Sequence, residues 1–436
     1  MSTTLTRRTI RVEHLARVEG HGGISVELDG DRIEAVRFDV FEGIRLIEGL
    51  IGGRSWEDVS QIVSRICAIC SVAHSMTSIR VTERVFGVRP SAQTERLRDL
   101  LWRGESIESH ALHLFLLAAP DYLGYPSGVA MAADHPQAVA LALRLKRLGN
   151  LLQGGVGGRE IHPVNAVPGG FGQVPDEARL MAMRNALLAA RPDIEAALEL
   201  VRSLPPTRPM SADTVFVALL QDEDYRYDVG DEVGILDGDH RRVIAAETLP
   251  KVAPERTMAH SHAKHSHIDG RPFMVGALAR LTINRNRLGP EGESLINALG
   301  LTLPSRDPMD NNRAQAVELA MDVGRALRQV ESLLEMGPVA EAPVAVTPRA
   351  GAATVVTEAP RGMLLHSYTY GPDGHITRAN VITPTAFNAA SLEAHFRAAV
   401  ERDGTADEPA LRRTLEMIAR AYDPCISCSV HLSRRA

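Results

Sequence analysis

Arg65-Ile66-Cys67-Ala68-Ile69-Cys70-Ser71-Val72-Ala73-His74 lies near the start of the chain, and Asp423-Pro424-Cys425-Ile426-Ser427-Cys428-Ser429-Val430-His431 lies near its end. Together these stretches hold all four cysteines of the 436 residues. A C-x-x-C pair sets two sulfurs close together, which suits a metal or a redox disulfide. A thioredoxin-like motif needs only one pair, in a βαβ setting. A zinc ribbon spaces its pairs by about 15–20 residues, whereas here residues 71–424 intervene. That argues against a local zinc module and leaves a structural zinc clamping the two ends as an alternative. Four thiolates on one site are soft donors that favour zinc, iron–sulfur clusters or another soft transition metal over magnesium or calcium. Thiols ligate as thiolates, which nearby positive charge promotes. Arg65 and His74 flank the first pair, and His431 follows the second.

Outward from the first pair, residues 9–40 alternate as strands (Ile10–Glu13, Gly23–Leu28, Ala35–Val40) around a turn at Asp29-Gly30-Asp31. Residues 55–79 have helical spacing behind a Ser55/Asp58 capping box, with the cysteines at the far end. Further helices are expected over 91–118, over 135–152 with a stop at Gly154-Gly155, over 176–203 with an interruption at Pro192, and over 311–336. Short strands and turns fill 214–250. A solvated, histidine-rich loop spans 260–267, its spacing resembling no standard ligand set. A Pro/Ala-rich connector covers 338–353, a β-rich piece 354–384, and helices 389–402 and 408–421 lead into the second pair. The expected fold is α+β: one large, mainly helical domain over 1–431, with strand clusters near both termini and the two ends meeting at a metal site.

The composition is that of a globular protein, 44% hydrophobic, 23% charged and 4% aromatic. With 48 basic against 54 acidic residues, it is poor material for a nucleic-acid or anionic-membrane binder. No apolar run approaches the ~18 residues of a membrane span. Arg7-Arg8 hints at twin-arginine export, but Arg11, Glu13, His14, Arg17 and Glu19 interrupt any apolar segment behind it. A cytoplasmic protein is expected. Gly157-Gly158-Arg159 lacks the strand-loop-helix setting of a phosphate loop, and no dinucleotide fingerprint is present.

The two cysteine stretches resemble the N- and C-terminal signatures of the nickel–iron hydrogenase large subunit. Arg17-Val18-Glu19-Gly20-His21, Glu358-Ala359-Pro360-Arg361-Gly362 and Val381-Ile382-Thr383-Pro384-Thr385 extend the resemblance along essentially the whole chain. Ala68 departs from the glycine usual in the family and is expected to crowd the turn without removing a ligand. The length and the Cys-Ile-Ser-Cys-Ser-Val-His ending look most like the soluble NAD(P)-linked group, which includes the sulfhydrogenases.

The resemblance implies reversible, heterolytic oxidation of H2. Nickel would be held by Cys67, Cys70, Cys425 and Cys428, with Cys70 and Cys428 bridging to an iron that carries carbon monoxide and cyanide. The terminal thiolate of Cys425 would be the first proton acceptor. Glu19 would be the relay carboxylate beside it, since a buried carboxylate has a raised pKa and exchanges protons near neutrality. Arg361, oriented by Asp423, would balance the thiolates and polarise hydrogen. His74 would hydrogen-bond the Cys428 sulfur, and Thr385 a cyanide. Pro360, Leu364, Val381 and Pro384 would line an apolar pocket for the diatomic ligands. Glu48, the Val381 carbonyl and His431 would hold magnesium. Since one site uses every cysteine, electrons must leave through an iron–sulfur small subunit, which this group joins to flavin-containing NAD(P) reductase subunits. A maturation protease is expected to remove residues 432–436 after nickel insertion. The alternatives are a non-catalytic scaffold of the same fold in a redox complex, and the zinc clamp.

Overall fold

The computed structural model describes residues 7–30, 32–223, 225–404 and 406–430. His431, the 432–436 tail and Asp31 of the expected turn lie outside the described residues. Strands Arg7–Val12, Gly22–Asp29 and Arg32–Val40 form an antiparallel sheet in sequence order. Its inward residues include Ile10 opposite Val26 and Ile24 opposite Phe38, so the alternation read from the sequence is the one that buries its apolar face. A second antiparallel sheet joins Gly351–Ala359, Gly362–Tyr370 and Ile376–Ile382. Its first hairpin turns over Pro360-Arg361, with Ala359 paired to Gly362. Gly362 adopts φ +130°, and a Cβ there would stand 2.4 Å from Val275 Cγ2. Only glycine brings this turn so close to its neighbour. A four-stranded sheet in the order Phe273–Met274, Val215–Leu219, Glu232–Asp237, His240–Ala245 packs alongside.

The Ser71–Phe86 helix packs on the second sheet, and the Ala92–Leu112, Pro136–Gly157 and Asp310–Met336 helices form a layer in which Ala92–Leu112 packs against the other two. Ser91 caps the Ala92–Leu112 helix by accepting from the Thr94 amide at 3.0 Å, and the chain continues helically through a wider turn at His113–Ala118. A Cβ on Gly149 would lie 2.5 Å from the Gly104 carbonyl and 2.6 Å from the Glu108 amide, so bare glycine lets two helices touch backbone to backbone. The cysteines belong to the main apolar core.

Four boundaries differ from the expected ones. The 55–79 helix is two helices, Trp56–Val63 and Ser71–Phe86, because the chain turns extended at Cys67. Ser55 caps the first through the Glu57 amide at 3.3 Å rather than through a box with Asp58. Helix 136–157 runs past Gly154-Gly155, where bare glycine admits the Met183 side chain, and ends at Gly158 with φ +79°. The 176–203 segment breaks at Ala190, and Pro192 sits harmlessly in the first turn of the Arg191–Ser203 helix. The helix expected from 389 starts at Pro384.

Candidate metal centre

Cys67 lies in extended backbone, and Cys70 precedes the first turn of the Ser71–Phe86 helix. The amides of Ile69 and Cys70 point at the Cys67 sulfur from 3.3 and 3.4 Å, as suits a thiolate at a helix N-terminus. Ala68, between the two cysteines, is exposed. At the other end, Asp423 takes φ +50° and Pro424 leads to Cys425, whose amide donates to Thr385 Oγ1 at 2.9 Å. The Ile426 amide donates to the Glu19 carbonyl at 2.9 Å, docking the second pair beside the N-terminal segment. Gly20 closes this contact: at φ +88°, a Cβ would stand 2.7 Å from Ile426 Cβ.

The four sulfurs lie within 4.8 Å of one another, all buried and all free of disulfides. Cys425 Sγ is 3.2 Å from Cys67, and Cys70 Sγ is 3.6 Å from Cys428. Hydrogen bonds from the Cys425, Cys428 and Cys70 thiols hold Cys67 well below the usual thiol range. Burial pushes Cys425 and Cys428 well above it. Four thiolates cannot be buried together without cations to neutralise them.

Cys425 Sγ stands 3.3 Å from Glu19 Oε2, which also accepts the Ser427 amide at 3.0 Å, while Glu19 Oε1 takes the Ser427 hydroxyl. Glu19 is half-buried, not buried as expected, so it reaches from sulfur toward solvent. Arg361 is buried, with Nε 3.0 Å from Asp423 Oδ1 and Nη1 unpartnered. Burial opposes its charge, but Asp423 and the thiolates of Cys425, Cys67 and Cys70 raise its pKa above even the usual guanidinium value. Asp423 is lowered by Arg361 against its own burial, and it accepts Gln315 Nε2 at 3.1 Å. Arg361 is thus the cation that faces the sulfurs. Arg65 is exposed and donates to the Gln61 carbonyl.

A model of the family described as nickel-dependent hydrogenase matches residues 45–155 and 235–431, most of the chain. The chain belongs to the nickel-dependent hydrogenases. A second model, described as HoxL-like, matches residues 9–42 of this hydrogenase. It is 37% identical to sulfhydrogenase 1 subunit alpha of Pyrococcus furiosus, over 98% of each chain. To sulfhydrogenase 2 subunit alpha of the same organism it is 36% identical, over 97% of this chain and 98% of that one. The crystal structure of an NAD+-reducing [NiFe]-hydrogenase in the H2-reduced state superposes with a TM-score of 0.87 at 25% identity, covering 98% of this chain and all of that one. The Ni-Fe-Se hydrogenase of Desulfomicrobium baculatum shares the fold, with a TM-score of 0.81 at 22% identity over 97% and 100% of the two chains. The subunit is therefore an oxidoreductase that splits H2 by nickel-dependent chemistry, and its four cysteines form a cluster able to bind metal.

The remaining expected residues within the described range are buried. His74 is buried and its pKa falls to about 4 through desolvation. Its Nδ1 lies 3.1 Å from His366 Nε2, so that nitrogen is engaged with His366 rather than with Cys428. His366 in turn meets the Tyr368 hydroxyl at 2.5 Å. Glu48 is buried beside the Val381 main chain, and neither of its carboxylate oxygens has a hydrogen-bond partner. Burial raises its pKa. Two orphaned carboxylate oxygens fit a hard cation. Pro360, Leu364, Val381 and Pro384 are all buried. A small cavity beside Arg361 is lined by Thr385, Asn388, Leu392, Tyr422 and Asp423, among others.

Sequence reasoning missed the residues that hold Arg361 in place. Arg280 donates to the Ala359 and Pro360 carbonyls, both at 2.9 Å, and so fixes the turn that carries Arg361. It also pairs with Glu318 at 2.6 Å and Glu358 at 3.1 Å, with all three side chains fully buried. Glu318 and Asp322 stand four apart on a helix read only for its apolar stripe, and that spacing was the available signal. Ser427, inside the second signature, was quoted but given no role. The 260–267 loop is only partly solvated: His262 is exposed, His260 and His267 are half-buried, and His265 is buried.

Proposed function

We propose that this hydrogenase subunit passes the proton of heterolytic H2 cleavage from the Cys425 sulfur to Glu19, and its electrons through an iron–sulfur small subunit to NAD(P)+. The observation that carries the proton route is the 3.3 Å approach of Cys425 Sγ to Glu19 Oε2. The sulfhydrogenase and NAD+-reducing relatives support the acceptor. When bound, the nickel–iron centre with its carbon monoxide and cyanide ligands supplies the Lewis acidity and the electron-accepting capacity for the split. Cys67, Cys70, Cys425 and Cys428 hold it, and Thr385 is suited to one diatomic ligand because its hydroxyl accepts from Cys425 and so has its own hydrogen left to donate.

Cys425 takes the proton on sulfur, and Glu19 Oε2 receives it at hydrogen-bond distance. Ser427 fixes both carboxylate oxygens, so the acceptor does not rotate away, and the half-exposed Glu19 hands the proton outward. Arg361, held by Asp423, faces the sulfurs with a positive charge that favours the ionised Cys67. His74 and His366 pack together as buried polar support. Glu48, the Val381 carbonyl and His431 would hold magnesium. Removal of residues 432–436 by a maturation protease belongs to the same reading, and an intact mass ending at His431 in active enzyme checks it. No helix among the described residues is long and apolar enough to cross a membrane, in line with a cytoplasmic complex.

The test is Glu19→Gln and Cys425→Ser in the purified complex. Hydrogen–deuterium exchange and hydrogen–dye reduction should both fall in Glu19→Gln while nickel content stays at one per chain, and Cys425→Ser should lose uptake. Wild-type exchange in Glu19→Gln would overturn the proton route. Metal analysis giving zinc alone, with no hydrogen–dye activity, would favour the clamp.

A further inference from the structure

Away from the sulfur cluster, His260, His265 and Glu393 bring one ligand atom each within 4.8 Å of one another. His260 Nε2 is 2.8 Å from Glu393 Oε1, and His265 Nδ1 is 3.8 Å from Glu393 Oε2. The two imidazole rings meet edge to face, their centroids 5.6 Å apart. We propose that these three side chains form a second metal site, for a zinc-class divalent cation, which pins the histidine-rich loop to the Pro384–Asp403 helix.

Three observations carry this. First, His265 is 1% exposed, its Nε2 has no partner, and its Nδ1 stands beyond hydrogen-bond reach of the carboxylate that it faces. A buried imidazole left in this way is costly unless something else occupies a ring nitrogen. Second, the spacing suits an ion. Bonds of about 2.0–2.1 Å to a tetrahedral zinc place its ligands about 3.4 Å apart, and here one ligand atom from each of the three side chains already lies within 4.8 Å of the others. Third, burial raises the Glu393 pKa while His260 lowers it, and the Asp39 carboxylate adds a second acidic group beside the pocket. His265, with a pKa brought down to about 4 by burial, is uncharged at neutral pH and keeps a lone pair for a metal.

Two imidazole nitrogens and one carboxylate suit zinc or cobalt(II) over magnesium, calcium or copper(I). His260 and Glu393 are each 18% exposed, which leaves an open side for a water ligand and a route of entry. The ion would fasten three distant segments. The Phe38 amide donates to Glu393 at 2.9 Å, and the His262 amide donates to the Val40 carbonyl at 2.8 Å. The N-terminal sheet, the loop and the helix that begins at Pro384-Thr385 would all meet there. This inference does not rest on the proton route or on the electron acceptor.

The experiment uses the assembled enzyme with its nickel–iron centre in place, so that the cysteines do not take up the probe. After dialysis against a mild chelator, Zn2+ and Co2+ are titrated into wild type, Glu393→Gln and His260→Ala. Wild type should bind one additional zinc per chain, show the visible band of a tetrahedral cobalt(II) site, and melt at a higher temperature with zinc. Both variants should bind at least about tenfold more weakly and lose the zinc-dependent rise in melting temperature. His260 is at the rim, so its variant stays readable if Glu393→Gln folds poorly. Wild type binding no more zinc than His260→Ala, or giving no cobalt band, would overturn the proposal and leave the cluster as an ion pair.

Discussion

Glu19 Oε2 faces both the Cys425 sulfur at 3.3 Å and the Ser427 amide at 3.0 Å. An amide in place of the carboxylate keeps the second contact through its oxygen but removes the base. Glu19→Gln should therefore slow hydrogen–deuterium exchange by roughly 10²–10⁴-fold while leaving the sulfur cluster able to hold nickel, as elemental analysis would show. At Arg280 the loss is structural. Replacing it with Met leaves Glu318 and Glu358 buried without their shared cation, a change that costs roughly 3–5 kcal/mol when a buried pair is broken. It also frees the turn beneath Arg361. Chemical denaturation of Arg280→Met should show that loss. The cysteines, Glu19 and Arg361 were legible because each stands in a short contiguous signature. Arg280 was not, because its partners Glu318 and Glu358 are 38 and 78 residues away, and a lone arginine in a helix reads as surface until its partners are known.

Helices and strands with a clear apolar period were legible from composition alone, and the N-terminal sheet and the Asp310–Met336 helix show it. What escaped was set by backbone approach. The helical period runs on through Cys67, yet the ligands need an extended residue there, so the chain breaks the helix and starts another. Gly154-Gly155 looked like a stop but serves packing. Gly149→Ala tests this kind of contact: a methyl group 2.5 Å from the Gly104 carbonyl must push two helices apart, which should destabilise by about 1–3 kcal/mol, measured by thermal unfolding. Gly20→Ala tests the docking of the two ends. Its Cβ would meet Ile426 at 2.7 Å on a backbone at φ +88°, so nickel occupancy should drop by more than half even where the rest of the fold survives by circular dichroism.

Across the whole molecule, charge is buried on a scale that ties stability to pH. His74 and His265 both titrate near 4 when folded, against an ordinary value of about 6.5, because burial disfavours the cation. Their folded pKa values are depressed, so the unfolded chain binds these protons first. The stability they contribute is complete above about pH 6.5 and is lost as pH falls through about 4. The melting temperature of the metal-free protein should accordingly decline across that window, and His74→Gln should flatten the decline. The two cysteine pairs have a further consequence in time. Cys70 and Cys428 stand 358 residues apart yet meet at 3.6 Å. A ribosome adding about 5–20 residues per second needs roughly 20–70 s to travel from one to the other. Throughout that interval the first two thiols exist without their partners, so the centre cannot be built as the chain emerges, and the nascent protein depends on reducing surroundings until its last turn arrives.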